Sequence, residues 1–188
     1  MVNPYAIGKK IYLRAPVEED VFGNWYQWLS DPEITRYLAD RYWPNTKETQ
    51  LAFFNSSKED KNRLVLSICD IETDKHIGVC NLSSINWFHK FADIALIIGE
   101  KEFRNGAYAV ETLSLLIQIA FNRLNLINLR SAHISTNPFT PKLEKMFGFV
   151  DAGRLTDFIF SDGIYVDLVL TQLRREDWSK RNKQKSLK

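Results

Sequence analysis

Apolar residues recur along this chain with two different periods, and the two periods predict two kinds of element. Short segments in which apolar residues alternate with polar ones, or run without interruption, predict strands. They cover residues 11–15, 64–69, 77–82, 92–99, 127–135, 149 onward and 164–173. Segments with apolar residues three and four positions apart predict helices. They cover about 16–30, 31–38, 46–56, 108–124 and 140–147. This order predicts one mixed sheet with helices packed on it, in a single domain.

Two neighbouring segments in the middle of the chain are the most apolar. The near-continuous apolar run at 92–99 predicts a central strand covered on both faces. The helix predicted after it has a broad apolar face and is expected to be deeply buried. The turn between them, at 104–109, is polar and contains small residues.

Turn and cap residues set several boundaries. Thr140 and Pro141 predict a helix N-cap and first residue, and Gly148 predicts the end of that helix. The segment 161–163, Ser-Asp-Gly, predicts a hairpin turn. Residues 39–44 are expected to form an exposed loop that carries Tyr42 and Trp43.

Composition narrows the class of protein. The chain has 188 residues, of which 45% are hydrophobic, so a core can form without disulfides, and a disordered or collagen-like chain is excluded. The two cysteines and three histidines lie in no metal-ligand spacing, and we expect no metal. There is no basic-then-apolar leader and no apolar run of about 18 residues. These features predict a cytoplasmic protein without membrane association.

The charge is unevenly distributed. Residues 174–188 contain seven Lys or Arg and two Asp or Glu, whereas residues 1–173 contain 18 basic and 21 acidic residues. The mildly acidic body argues against a nucleic-acid partner. We expect one domain over 1–178 and a basic, solvated tail over 179–188, with a contact to nucleic acid as the alternative for the tail.

The turn before the long helix is a candidate anion site. The first N–H groups of a helix have no intrahelical partner, and the helix dipole adds partial positive charge there. Gly106, Ala107 and Ala109 would let a ligand approach the backbone, and Arg104 adds a full charge. A pyrophosphate suits such a site, although a glycine in a strand–helix turn is often only a turn. Motifs for a nucleophilic elbow, a Walker loop or a dinucleotide-binding loop are missing from the sequence.

The stretch 92–149 resembles the GCN5-related N-acetyltransferase (GNAT) superfamily. Residues 104–109, Arg-Asn-Gly-Ala-Tyr-Ala, resemble the family loop that wraps the pyrophosphate of coenzyme A. The strand at 92–99 resembles the strand that pairs with the pantetheine arm. Asn137 followed by Gly148-Phe149 resembles the closing signature of the family.

The N-terminal half fits the branch with ribosomal-protein N-terminal and spermidine acetyltransferases. It has Leu13-Arg14 near its start and Trp25 before Asp31-Pro32-Glu33. The resemblance covers about residues 10–178. It implies an α/β (α+β) fold with a mixed, mostly antiparallel central sheet, helices on both faces and a single domain.

The resemblance also implies an acetyl-CoA-dependent N-acetyltransferase in which the amine attacks the thioester directly. The expected cofactor-binding residues are Ile97, Ile98, Arg104, Asn105, Gly106, Ala107, Tyr108, Ala109 and Asn137. A strand N–H near Ile97 or Ile98 would polarise the thioester carbonyl. The acceptor would be a small-molecule amine or a protein N-terminus, and the protein a monomer or homodimer. The acidic body favours a cationic acceptor.

Two departures from the family pattern bear on catalysis. Ala107 stands where the family most often has its key glycine, so it serves only if its φ is negative. Glu144 stands where many members have a tyrosine that protonates the leaving thiolate. It can do so only if burial raises its pKa, and an exposed helix residue is the simpler interpretation. If both departures mark a degenerate site, the alternative function is a non-catalytic acyl-CoA-binding module.

The remaining candidates are acidic, aromatic or imidazole side chains. Asp93, within an apolar strand, is the leading base or amine-orienting residue, with a salt-bridged or edge-facing aspartate as the alternative. Glu33 and Tyr37 are candidates to line the acceptor pocket, or else surface and core residues. His133 is expected to be structural.

Overall fold

One eight-stranded sheet organises the protein. The structure, a computed structural model, describes residues 1–38 and 42–186. The strand order is β1-β2-β3-β4-β5-β6-β8-β7. The strands are β1 Ala6–Ile7, β2 Ile11–Arg14, β3 Leu64–Asp70, β4 His76–Asn86, β5 Phe91–Ile98, β6 Asn128–Ile134, β7 Val150–Ser161 and β8 Ile164–Arg174. The predicted loop at 39–44 lies partly outside the described residues, at 39–41.

The helices follow the predicted order. They are α1 Glu18–Asp20, α2 Tyr26–Trp28, α3 Pro32–Thr35, α4 Lys47–Glu59, α5 Ala107–Gln118, α6 Thr140–Phe147 and α7 Arg175–Ser186. A π-helical turn, Val21–Trp25, joins α1 to α2, and another, Ile119–Arg123, extends α5. No helix within the described ranges has the length and apolar character that crossing a bilayer requires.

Neighbouring strands are antiparallel everywhere except at one place. The strands β5 and β6 are parallel, and they pair only through Phe91↔Asn128, Ala92↔Leu129 and Asp93↔Arg130. Within the part of the chain that the structure describes, β5 has no pairing partner on the β6 side beyond these positions, while its pairing with β4 continues to Ile98. The two parallel strands therefore diverge and leave a gap toward their carboxyl ends.

Helices cover both faces of the sheet. On one face α5, α6 and α7 pack over the larger core cluster, which includes Leu116, Phe121 and Leu129. On the other face α2 and α4 pack over a smaller cluster around Trp25 and Phe54. The predicted fold class, a mostly antiparallel mixed sheet with helices on both faces, is confirmed.

The prediction that β5 is covered on both faces is wrong for its second half. Ala92 and Ile94 are buried, but Leu96, Ile97 and Ile98 are only half-buried and Ala95 is exposed. The reason is the divergence of β6, because a strand without a neighbour on one side leaves apolar side chains uncovered. The apolar run therefore lines an open gap.

Packing of α2 fixes the end of β5. A Cβ on Gly99 would come within 2.0 Å of the Trp28 ring, so only glycine lets the indole lie this close. The buried Glu100 carboxylate accepts hydrogen bonds from Trp28 Nε1 (3.1 Å) and Asn24 Nδ2 (2.8 Å). These contacts hold the chain in place immediately before the loop at 104–109.

One expectation about a helix cap is corrected here. Thr140 is the first residue of α6 and not its cap. In the β3–β4 register Cys80 lies opposite Leu66, and Cys69 lies opposite His76. Residues of the predicted tail are helical as far as Ser186, as part of α7, and the division at 178 stays a prediction. Trp178 anchors that helix on Phe121, with ring centroids 5.4 Å apart.

Candidate active site

The gap between β5 and β6 is bordered by backbone groups that the sheet does not use. Gly99 N–H donates to Ile77 O (2.8 Å), which assigns Gly99 to the hydrogen-bonded positions of the β4–β5 ladder. Since these positions alternate along a strand, the N–H of Ile97 also points to β4, and that of Ile98 points away from it. Of the two predicted oxyanion donors, Ile98 is therefore the one directed toward the gap.

The loop after β5 ends in a glycine with a left-handed backbone. Gly106 has φ 85° and ψ −31°, and a Cβ there would meet nothing within 4 Å. Ala107 begins α5 with a helical conformation, so the condition that its φ be negative is met. The positive φ of this loop is therefore at Gly106, one position before the residue that is most often glycine in the family.

The N-terminus of α5 has free donor capacity. Val110 N–H makes the first intrahelical bond, to Gly106 O (3.0 Å). The N–H of Ala107 donates to the side chain of Asn105 (3.2 Å), whereas those of Tyr108 and Ala109 precede the helical ladder. The open backbone at Gly106 and these amides together fit an anionic group such as pyrophosphate.

Arg104, the first residue of this loop, has a guanidinium group that is only partly hydrogen-bonded. Its Nη2 donates to Gly99 O (2.6 Å), and its Nη1 lies 3.8 Å from a Glu33 carboxylate oxygen. Its Nε is buried and has no hydrogen-bond partner. An unpaired buried donor on a cation is a further feature that suits an anion at this position.

Tyr108 packs inward from the first turn of α5. Its ring stands edge-on to Phe103, with centroids 5.0 Å apart, and its hydroxyl donates to Asp70 (3.3 Å). Burial, followed by the Asp70 charge, raises the pKa of this phenol. The Tyr108 side chain therefore stabilises the loop at 104–109 through its contacts with Phe103 and Asp70.

Glu33 and Tyr37, the predicted acceptor residues, contact different parts of the molecule. Glu33 is exposed and faces Lys101 (3.7 Å) as well as Arg104. Tyr37 packs edge-on against Phe139, with ring centroids 6.0 Å apart. This aromatic contact joins the end of α3 to the segment between β6 and α6.

Asn137 organises that same segment. Its Oδ1 accepts from the N–H groups of Phe139 (2.9 Å) and Thr140 (3.2 Å), and its Nδ2 donates to Thr140 Oγ1 (2.9 Å). The side chain therefore caps α6 from three residues before it. The cofactor contact of Asn137 stays a prediction.

Asp93 lies on the last paired rung of β5 and β6, where the gap begins. Its carboxylate accepts from Arg130 Nε (2.8 Å) and Nη2 (3.0 Å) in a two-point ion pair across the parallel strands. Asp93 remains partly exposed, since its side chain is 37% accessible. Sequence reasoning named Asp93 and missed Arg130, because the two residues are far apart in the chain and only the register brings them together.

Glu144 belongs to α6 and is buried. The simpler interpretation of the sequence, an exposed helix residue, is therefore wrong. Thr171 Oγ1 donates to Glu144 Oε2 (3.0 Å), and His133 Nδ1 lies 3.6 Å from the same oxygen. Its Oε1 and His133 Nδ1 have no hydrogen-bond partner. Burial raises the pKa of the Glu144 carboxyl, so the group has the property that a proton donor requires.

A cleft of about 470 Å³ opens between α3 and the tip of the β7–β8 hairpin. Pro32 and Thr35 line it on the helical side, Phe160 and Gly163 on the hairpin side, and Trp43 at its edge. The sequence predicted the hairpin turn and the bulky loop separately. It held no signal that the two would face each other.

Residues 10–150 match the family model described as "Acetyltransferase (GNAT) domain". The sequence matches no curated protein at a significant level. Among solved structures, the chain is similar to a spermidine N-acetyltransferase from Vibrio cholerae in complex with CoA and spermine. The TM-score is 0.82 with 21% identity over 92% of this chain and 99% of that one. It is also similar to a probable acetyltransferase, with a TM-score of 0.79 and 19% identity over 91% of this chain and 96% of that one.

Proposed function

The chain belongs to the GNAT acetyltransferase family, and we propose that it transfers an acetyl group from acetyl-CoA to a primary amine by direct attack. The observation that carries this proposal is the open gap between β5 and β6, which leads to the donor-rich N-terminus of α5. The Vibrio cholerae enzyme of the same fold, solved with CoA and spermine, supports a CoA-linked reaction on an amine.

The residues of the loop fit the anionic part of acetyl-CoA. Gly106, Tyr108 and Ala109 would offer backbone N–H groups to the pyrophosphate, and Arg104 a guanidinium. When bound, acetyl-CoA supplies an activated acetyl thioester. The N–H of Ile98 is the donor we assign to the thioester carbonyl, since it points away from β4.

The amine must lose a proton before it can attack, and Asp93, five residues before Ile98 on β5, is the residue we assign to deprotonate it through intervening water. Asp93 lies at the closed end of the gap, on the sheet face that α2 and α4 cover. Its two-point contact with Arg130 fixes the direction of the carboxylate. Because the Asp93 side chain is partly exposed, water can reach it.

Glu144 is the candidate proton donor to the thiolate that leaves. Burial raises the pKa of this carboxyl, which keeps a proton on it at higher pH than on an ordinary glutamate. Because the thiolate of coenzyme A is a good leaving group that water can protonate, we expect Glu144 to contribute less than Asp93.

Calorimetry with CoA tests the site assignment. Arg104→Ala should weaken binding by about 1–2 kcal/mol, the scale of a charge-assisted hydrogen bond. Gly106→Val should weaken it further, because a β-branched residue cannot adopt the left-handed backbone without strain. Gly163→Val is the matched control, since Gly163 also has a positive φ and open surroundings but lies in the hairpin turn.

Release of thiol from acetyl-CoA, measured with a panel of amines, tests the reaction itself. An acetyltransferase releases thiol in proportion to acetylated amine. A non-catalytic acyl-CoA-binding module would bind CoA and release no thiol with any amine. Unchanged CoA affinity in both Arg104→Ala and Gly106→Val would remove the loop from the site.

A further inference from the structure

The cleft between α3 and the β7–β8 hairpin is rich in aromatic side chains that the fold leaves uncovered. Trp43 is 83% exposed at its edge, and Tyr42 and Phe160 are about half-exposed. Large aromatic side chains gain most from burial, so a group of them around one concavity marks a binding surface. Nothing in the packing of the two core clusters requires these three residues to face one cavity.

Among the lining residues that the structure describes, Asp162 is the one with a charged side chain. A polyamine carries several ammonium groups along its length, and each would need a carboxylate or comparable partner on leaving water. An aromatic lining with one charged residue among those described instead matches the apolar body of a ligand whose ammonium group binds outside the cleft.

The cleft is placed over the mouth of the gap. The hairpin tip extends past the carboxyl end of β6, since Ser135 N–H still donates to Asp167 O (2.9 Å) and β8 begins three residues before Asp167. On the other side, α3 stands next to the loop after β5 through Glu33 and Lys101. The cleft therefore bridges the two strands that diverge.

We propose that the acceptor is a small primary amine carried on an aromatic ring system, an arylalkylamine, whose ring binds between Trp43 and Phe160. This inference rests on the proposed acetyl transfer and names the substrate class for the same site. The amine would point from the cleft into the gap, toward the thioester that we assign to the N–H of Ile98, and the ring would stay among the aromatic side chains. The volume of about 470 Å³ is within the usual range for pockets that hold small molecules.

Other occupants make different demands on the surface. A peptide with an N-terminal aromatic residue would need donors and acceptors for its backbone, and the lining is largely aromatic and aliphatic. A second copy of the chain would need a larger face than this concavity, because stable interfaces bury about 800 Å² on each partner. The experiments below would detect either a peptide or a second copy of the chain as the occupant.

The first experiment compares acceptors in the thiol-release assay with saturating acetyl-CoA. Tryptamine and 2-phenylethylamine are tested beside butylamine, spermidine and a short peptide that begins with phenylalanine. We expect kcat/KM for the two arylalkylamines to exceed that for butylamine and spermidine by at least about tenfold, the scale of burying part of an aromatic ring. A preference for spermidine, or turnover of the peptide without turnover of the free amines, would overturn the inference.

The second experiment locates the ring. Trp43→Ala and Phe160→Ala should each raise KM for tryptamine by about tenfold and change kcat by less than about twofold. Their KM for butylamine should stay unchanged, which a general structural defect would not produce. Phe88→Ala is the matched control, because Phe88 is 87% exposed but lies in the β4–β5 turn at the other end of the sheet.

A binding measurement separates this inference from the proposed function. Tryptamine is titrated by calorimetry into the protein saturated with CoA, which lacks the acetyl group and cannot react. Binding of tryptamine that Trp43→Ala weakens supports the cleft assignment. If CoA binds and spermidine is acetylated but tryptamine neither binds nor reacts, the inference fails and acetyl transfer stands. If CoA binds and no amine releases thiol, the proposed function fails.

Discussion

Asp20 and Glu144 are equally buried, each 5% exposed. The pKa values of their carboxyl groups are nevertheless shifted in opposite directions. For Asp20, burial alone would raise the pKa, but the hydrogen bonds from Arg14 and Ser67 and the nearby His76 lower it below the usual value. For Glu144, burial dominates and the pKa is raised.

The difference lies in the partners and not in the depth. Arg14 donates to both Asp20 oxygens at 2.7 Å, and Ser67 Oγ adds a third bond at 2.7 Å. Glu144 has Thr171 at 3.0 Å and His133 at 3.6 Å, with one oxygen unpaired. A buried carboxyl group with a full set of charged partners is structural, whereas one with an incomplete set can exchange a proton.

The largest loss of stability is expected when Asp20 loses its ion-pair partner Arg14. Arg14→Met should cost about 3–5 kcal/mol of unfolding free energy, because it leaves the Asp20 charge buried without its partner. Chemical denaturation measures this. The double variant with Asp20→Asn should recover part of the loss, and a loss no greater in Arg14→Met than in the double variant would contradict the argument.

Asp93 is an intermediate case, since it has a guanidinium partner but remains partly exposed. Asp93→Asn should lower kcat by about 10–100-fold if the carboxylate orients or deprotonates the amine. The unfolding free energy should change by less than about 1 kcal/mol, as for other exposed ion pairs.

Asp167→Asn is the matched control for Asp93→Asn. Asp167 accepts from Arg154 (2.7 Å) on the β7–β8 hairpin and belongs to no proposed step of the reaction. It should keep full kcat. Equal kcat in the wild type and in Asp93→Asn would return Asp93 to a purely structural role.

Removing the hydroxyl group that donates to each carboxyl group compares Asp20 and Glu144 directly. Ser67→Ala removes a donor to an ionised carboxylate and should cost about 2 kcal/mol near neutral pH, whereas Thr171→Val removes a donor to a group of raised pKa and should cost about 1 kcal/mol. The two unfolding free energies are measured under identical conditions. A larger loss for Thr171→Val would mean that Glu144 is the more strongly charged of the two.

The smallest effect on turnover is expected for Glu144→Gln, with kcat lowered by less than about fivefold, well under the usual scale for general acid catalysis. A greater loss than in Asp93→Asn would reverse the assignment, and Glu144 would then replace the tyrosine of the family as proton donor.

The same variant should change the pH dependence of stability. A carboxyl group with a raised pKa holds its proton longer in the folded state, so its contribution is complete at low pH and is lost as the pH rises through the folded-state value. The stability of Glu144→Gln relative to wild type should therefore increase with pH above the ordinary carboxyl range.

Local patterns along the chain were sufficient for most of the fold. The alternation in 64–69 and 77–82 predicted β3 and β4, and the helical period after Gly106 predicted α5. The short strand β1 and the helix α7 were not predicted. The first is too short to show a period, and the second is so rich in charged residues that it has little apolar face apart from Trp178.

The loop at 104–109 was also predicted from local residues, because a glycine before an apolar helix is a local signal. The condition on Ala107 was stated from its side chain alone, and the backbone of Gly106 meets it. The surroundings of the carboxyl groups were not predictable in this way. Nothing near Glu144 in the sequence indicates that Thr171 and His133 would enclose it.

What the sequence by itself determined is whatever neighbouring residues encode: the order of elements, the anion-binding turn and the family. What only the tertiary structure decided depends on residues far apart in the chain. The ion pair of Asp93 with Arg130, the open half of β5 and the aromatic cleft each join separate segments. The physical reason is that strand register and helix packing set these distances, and both are determined by burial of the whole core at once.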